Sequence, residues 1–180
     1  VWHREAQMIR RIFRKTGVVL LLLLLVALWI YPEEFGLSEP GRPAQSLDGS
    51  KIKVKDGDTI RFGEQDYRLH GIDSPEFTQI CKSSEGKDWA CGKQAHLALS
   101  RLVKGRTITC EERARDKFQR IVATCRDEQG RDVARAMIEQ GMAVSFGGFA
   151  EGPYAEDEHV ARQVKRGVWQ GKFDTPSSWR

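Results

Sequence analysis

Residues 54–76 read VKDGDTIRFGEQDYRLHGIDSPE. From Lys51 to Phe62 the residues alternate and are often β-branched, with a break at Asp56-Gly57-Asp58. Gly63 to Asp66 supplies turn residues, and Tyr67 to Ile72 resumes as a strand. The stretch is predicted to be a β-hairpin, so Asp58 and Asp73 fall at the same end of it. Two carboxylates brought together repel unless a cation sits between them. Hard divalent cations, calcium above all, take carboxylate, carbonyl and water oxygens. Glu76, three residues beyond Asp73, can reach the same cavity and hold or deprotonate a water. Arg68 stands on the returning strand, on the face opposite Tyr67 and Leu69.

Further along the chain, Lys93 to Val103 has helical spacing at Ala95, Leu99, Leu102 and Val103, and Gly105 closes it. Arg106 to Glu112 and Arg120 to Arg126 are predicted strands around a turn at Asp116 to Gln119. Asp132 to Gln140 and Ala155 to Arg166 are predicted helices. Three strands, a helix, two strands and two helices suit a β-barrel with helices: a five-stranded, partly open Greek-key barrel of the OB type. Arg120 ends the second turn. A guanidinium fork matches two phosphate oxygens and stays charged at any relevant pH. Two arginines, a cation and a carboxylate base form a set able to cleave a phosphodiester, because fixed positive charge stabilises the charge gained at phosphorus. Each piece has an ordinary reading on its own: Asp56-Gly57-Asp58 as a turn, Ser74-Pro75-Glu76 as a helix start, Arg68 as a surface residue. The ordered combination gives them weight.

Charge and cysteines bound the rest. Arg4, Arg10, Arg11, Arg14 and Lys15, against Glu5, carry the whole formal net charge of +4. The remainder is formally neutral, so any affinity for phosphate rests on where single residues stand. Val18 to Tyr31 is almost purely apolar, with an unbroken Leu20 to Leu25. Residues 1–17 are expected to be a basic n-region or cytoplasmic tail. Residues 18–31 are expected to be a hydrophobic helix, either a short uncleaved anchor or a cleaved signal. Residues 32–50, rich in Pro, Gly, Ser and acids, read as a linker, and the domain proper as 51–180. Cys81, Cys91, Cys110 and Cys125 all follow the apolar run. An even count in that position suggests two disulfides in an oxidising compartment, and no Cys-x-x-Cys pair speaks for zinc. Cys110 and Cys125 lie symmetrically about the Asp116–Gln119 turn and would face one another. Cys81 and Cys91 would close the loop before the first helix.

Three blocks are similar to the signature blocks of staphylococcal nuclease-like (thermonuclease) domains: Val54 to Thr59, Tyr67 to Glu76, and Asp116-Lys117-Phe118-Gln119-Arg120. The resemblance continues through Gly92-Lys93-Gln94-Ala95 and the Gly167-Val168-Trp169 ending, and covers about Lys51 to Trp169. It implies an OB-fold of that type with three helices. It implies Ca2+ held by Asp58, Asp73 and the backbone carbonyl of Ser74, which stands where the family commonly has Thr. It further implies Glu76 as general base through water, and Arg68 and Arg120 as phosphate-binding arginines. The implied reaction is hydrolysis of DNA and RNA phosphodiesters to 3′-phosphate products. The segment from Ser145 to Tyr154 is shorter than in the founding member, leaving Phe146, Phe149 and Tyr154 as candidates for base stacking or for packing under the last helix.

The expected protein is thus a calcium-dependent nuclease, monomeric as a domain, acting on DNA or RNA. It is either tethered to the membrane with the domain on the extracytoplasmic side, or secreted. A catalytically silent binding module and a structural envelope protein are the alternatives.

Overall fold

A computed structural model describes residues 25–26, 43–146 and 152–180. The basic segment 1–17, the apolar run 18–31 apart from Leu25 and Val26, most of the linker, and Phe149 lie outside the described residues. Among those that are described, no helix is long and apolar enough to cross a membrane.

Among the described residues ten strands form in chain order: β1 (Gln45–Asp48), β2 (Lys53–Val54), β3 (Thr59–Phe62), β4 (Gln65–Leu69), β5 (Ile72–Asp73), β6 (Cys81–Lys82), β7 (Asp88–Trp89), β8 (Thr107–Arg115), β9 (Ile121–Asp127) and β10 (Val144–Ser145). Helices α1 (Cys91–Val103), α2 (Val133–Glu139) and α3 (Ala155–Gln163) match the three expected. A 3-10 turn (Gly167–Gln170) and a one-turn helix α4 (Pro176–Trp179) follow. The main sheet has six strands in the order β1-β8-β9-β4-β3-β2, and its edges β1 and β2 do not pair with each other. The expectation of five strands is corrected by β1. It lies inside the stretch read as linker, yet pairs antiparallel with β8 from Gln45↔Cys110 to Asp48↔Thr107. Its sequence, QSLD, buries only Leu47. It is an edge strand supported by its neighbour and lacks an apolar alternation of its own.

The β3–β4 hairpin turns on two residues, since Phe62 pairs with Gln65. Gly63 takes the left-handed conformation that such a turn needs (φ 59°). Beyond it Tyr67 and Leu69 are buried and Arg68 faces the other way. Leu47, Ile60, Leu69, Leu99, Val103, Ile108, Met137 and Ile138 fill the core between the sheet and the helices. Helix α1 contributes Ala95, Ala98, Leu99 and Val103, spaced three and four apart. Asp132 caps α2 by accepting from the backbone N–H groups of Ala134 and Arg135 at 2.9 and 3.1 Å. Both expected disulfides are present, Cys81–Cys91 and Cys110–Cys125. The second joins residues directly opposite in the β8–β9 ladder.

One pairing decides where the site forms. β4 runs parallel to β9, with Tyr67 opposite Ile121 and Arg68 opposite Val122. A parallel pair needs a long crossover, here supplied by α1 and β8. The result is that Arg120, at the foot of β9, emerges beside the strand that carries Arg68.

Candidate functional site

The Asp56-Gly57-Asp58 loop enters the sheet pressed against Ser74. A Cβ on Gly57 would lie 1.9 Å from the Ser74 Oγ, so only glycine fits. Asp56 Oδ1 accepts the backbone N–H of Asp58 at 3.0 Å, which fixes the direction of the loop. Asp58 itself is buried. Its Oδ1 accepts from Arg68 Nη1 at 2.6 Å and from the Thr59 hydroxyl at 2.8 Å, and its Oδ2 from the Ser74 N–H at 3.0 Å. Asp73, also buried, sits on β5, and its Oδ1 accepts from Arg68 Nη2 at 2.8 Å. Arg68 therefore bridges the two aspartates that the hairpin brings to one end. The Ser74 hydroxyl donates to the Met142 carbonyl at 3.1 Å, tying this corner to the turn after α2.

Burial pushes the Asp58 carboxyl up, to about 7, against the opposing pull of Arg68. Burial here outweighs the one guanidinium that touches Asp58. Asp58, Asp73 and the Ser74 backbone offer only oxygen donors in this spot, which is the donor chemistry of a hard divalent cation. Among the described residues no three His, Cys, Asp or Glu side chains are grouped to hold a metal ion. Any cation would thus rest on two carboxylates completed by carbonyl and water.

Arg120 is held by its own turn. Asp116 accepts from the backbone N–H groups of Phe118 and Arg120 and, at 2.6 Å, from Arg120 Nε. The turn places Gln119 at positive φ (61°), a conformation that costs a side chain about 1 kcal/mol. Among the described residues the two Nη groups of Arg120 have no hydrogen-bond partner. Asp58, Arg68, Ser74, Glu76 and Arg120 line one cleft of about 880 Å³, together with Asp56, His70, Asp116, Lys117, Phe118, Phe146 and Arg180. Asp73 stands behind it, joined through Arg68.

Two aromatic side chains flank the cleft in the open, Phe118 at 67% exposure and Phe146 at 61%. Tyr154 is buried, and its hydroxyl donates to Asp132 Oδ2 at 3.0 Å. Of the two readings for Tyr154, packing is the one that holds. His70 is half buried on the cleft wall.

Arg180 was invisible to the sequence reading. Its Nη1 donates to Glu76 Oε1 at 2.7 Å and to Asp73 Oδ1 at 3.2 Å, and its Nη2 donates to Asp73 Oδ2 at 2.9 Å. The hydrogen bonds to Asp73 and then Glu76 hold its guanidinium above the ordinary arginine range. No motif marks it, because it meets Glu76 across more than a hundred residues of chain.

A family model described as staphylococcal nuclease homologue matches residues 66–171. The matched span starts after Asp58 and stops before Arg180. The chain is 35% identical over 123 residues to the succinoglycan biosynthesis protein ExoI of Rhizobium meliloti (strain 1021), covering 68% of this chain and 64% of that protein. It is 31% identical over 142 residues to the probable endonuclease LCL3 of Verticillium alfalfae, covering 71% of this chain and 48% of that protein. To an uncharacterized endonuclease of Escherichia coli it is 29% identical over 140 residues, 74% and 85% of the two chains. The chain thus spans less than two thirds of the length of the first two relatives.

Proposed function

Because the chain belongs to the staphylococcal nuclease homologue family, we propose that it is a calcium-dependent endonuclease that hydrolyses phosphodiester bonds of DNA or RNA. The observation that carries this reading is the meeting of Asp58, Arg68, Ser74, Glu76 and Arg120 on one cleft. Sequence places them in three separate blocks, and a structural role would not require them to share a cavity.

Asp58, Asp73 and the Ser74 carbonyl would hold the cation. When bound, it supplies charge that polarises a phosphoryl oxygen and water. Arg120 offers its paired Nη groups to the non-bridging phosphate oxygens, a fork-to-fork match. Arg68 adds its charge at the same wall, fixed in direction by the two aspartates. Glu76 takes a proton from the attacking water as its oxygen bonds to phosphorus. The bond from phosphorus to the 5′ oxygen breaks, the 5′ oxygen leaves and takes up a proton, and a 3′-phosphate remains. The open rings of Phe118 and Phe146 offer faces on which bases stack. Two disulfides fit a domain that works in an oxidising compartment.

The test is cleavage of plasmid and single-stranded DNA by the purified protein. Cutting is expected with Ca2+ and none with chelator, and Glu76→Gln is expected to lower turnover about 10²–10⁴-fold. DNA retained but uncut under every condition, or an unimpaired Glu76→Gln variant, defeats the reading.

A further inference from the structure

We propose that Arg180 is a positioning residue for this reaction: its guanidinium fixes the Glu76 carboxylate beside Asp73, and the strap from Gly171 to Trp179 delivers it. The proposal rests on the nuclease reading above.

The strap is fastened to the same segment that carries Glu76. Gly171 passes so close to that segment that a Cβ would lie 2.1 Å from the Lys82 carbonyl oxygen. The Lys82 N–H donates to the Lys172 carbonyl at 2.8 Å. Gln79, wholly buried, makes the tie at the base itself. Its Oε1 accepts the Glu76 backbone N–H at 3.1 Å, and its Nε2 donates to the Asp174 carbonyl at 2.7 Å. Pro176 is buried at the start of α4, and one helical turn later Arg180 reaches into the cleft. Gln79 therefore registers strap and loop at the backbone, and Arg180 registers them at the side chains.

The charges explain why a guanidinium is needed. Asp58, Asp73 and Glu76 are three carboxylates, and Arg68 reaches only the first two. A Glu76 with no partner would be driven away from Asp73 by like charge. It would also wander among rotamers, since its side chain is 34% exposed. Arg180 removes both problems with three contacts from two nitrogens, a fork that lysine cannot reproduce. It holds only Oε1. Oε2 takes no hydrogen bond among the described residues and is the oxygen left to accept a proton.

The rival reading of the same contact is a block, in which Arg180 occupies oxygens that the cation and water need. The two predict opposite signs. In the full chain, Arg180→Ala is expected to lower kcat about tenfold to a hundredfold, the scale of a misplaced catalytic group. KM should stay within about twofold, because binding of substrate is not what is lost. Millimolar guanidinium ion should restore part of that turnover, Arg180→Lys should recover little of it, and the melting temperature of Arg180→Ala should stay near wild type. A variant that cuts as fast or faster, or that is untouched by guanidinium ion, overturns the proposal. If wild type itself fails to cut with Ca2+, it is the nuclease reading that has failed, and this assignment falls with it.

Discussion

The β3–β4 hairpin carries an acid–arginine cluster at each end, and the two behave in opposite ways. At the turn end Asp66 is gripped by Arg61 (2.6 Å) and Lys55 (2.8 Å), two cations for one carboxylate, with both cations largely in water. At the open end Asp58, Asp73 and Glu76 share Arg68 and Arg180, three carboxylates for two cations, with the two aspartates only 4% exposed. The hydrogen bond from Arg61, with help from Lys55, pulls the Asp66 carboxyl down to about 2. Burial drives Asp58 up to about 7 although a guanidinium touches it. Identical functional groups thus make a satisfied clasp at one end and an unmet demand for positive charge at the other. Two quantities separate them: the ratio of acids to bases, and the access of water.

The largest expected effect comes from deepening that imbalance. Arg68→Ala leaves buried Asp58 with no cation and buried Asp73 with Arg180 alone, and should cost about 3–5 kcal/mol of stability in cation-free protein. Millimolar Ca2+ should recover part of the loss in urea titrations. A variant as stable as wild type would show that the open end is not short of positive charge. Next in size, Ca2+ at a hundred times its Kd should stabilise the wild type by about 2.7 kcal/mol. The gain should vanish in Asp58→Asn and persist in Asp66→Asn, and an equal gain in both variants would erase the distinction between the two ends. The smallest effect belongs to the clasp. The folded Asp66 pKa of about 2 lies below the ordinary 3.8, so between these values the folded protein binds fewer protons than the unfolded chain. The contribution of Asp66 is therefore full above about pH 4 and drains away as the pH falls toward 2. With partners this exposed it should amount to about 1 kcal/mol. Asp66→Asn should lose that much near pH 6 and converge on wild type near pH 2. A constant difference across the range would assign the effect to packing.

What the sequence revealed was what local spacing controls. A hairpin with its turn near Gly63 puts Asp58 and Asp73 at one end whatever lies elsewhere, and alternation alone turns Arg68 away from Tyr67 and Leu69. Cys110 and Cys125 sit at mirrored distances from one turn, so their pairing followed. The features that stayed hidden are those that a distant segment imposes. Gln45–Asp48 is polar enough to read as linker and becomes a strand because β8 offers it an edge. Tyr154 follows other candidate stacking residues in the sequence, but its hydroxyl has a partner in Asp132, and that draws the ring inward. Arg180 has no local signature at all. Its role depends on a strap that Gln79 anchors from the other side of the chain.

The parallel junction of β4 with β9 bears on the order in which the molecule assembles. Each of the two antiparallel hairpins, β3–β4 and β8–β9, can zip up from its own short turn. Joining them closes a loop of roughly fifty residues, a step whose entropy is lost before its contacts form. Arg68 and Arg120 belong to different hairpins, so the cleft comes into being only at that late closure. A refolding chain should regain sheet signal on the hairpin timescale and the proposed DNA-cutting activity measurably afterward. No fragment ending before β9 can contain a working site, however well its own hairpin is formed.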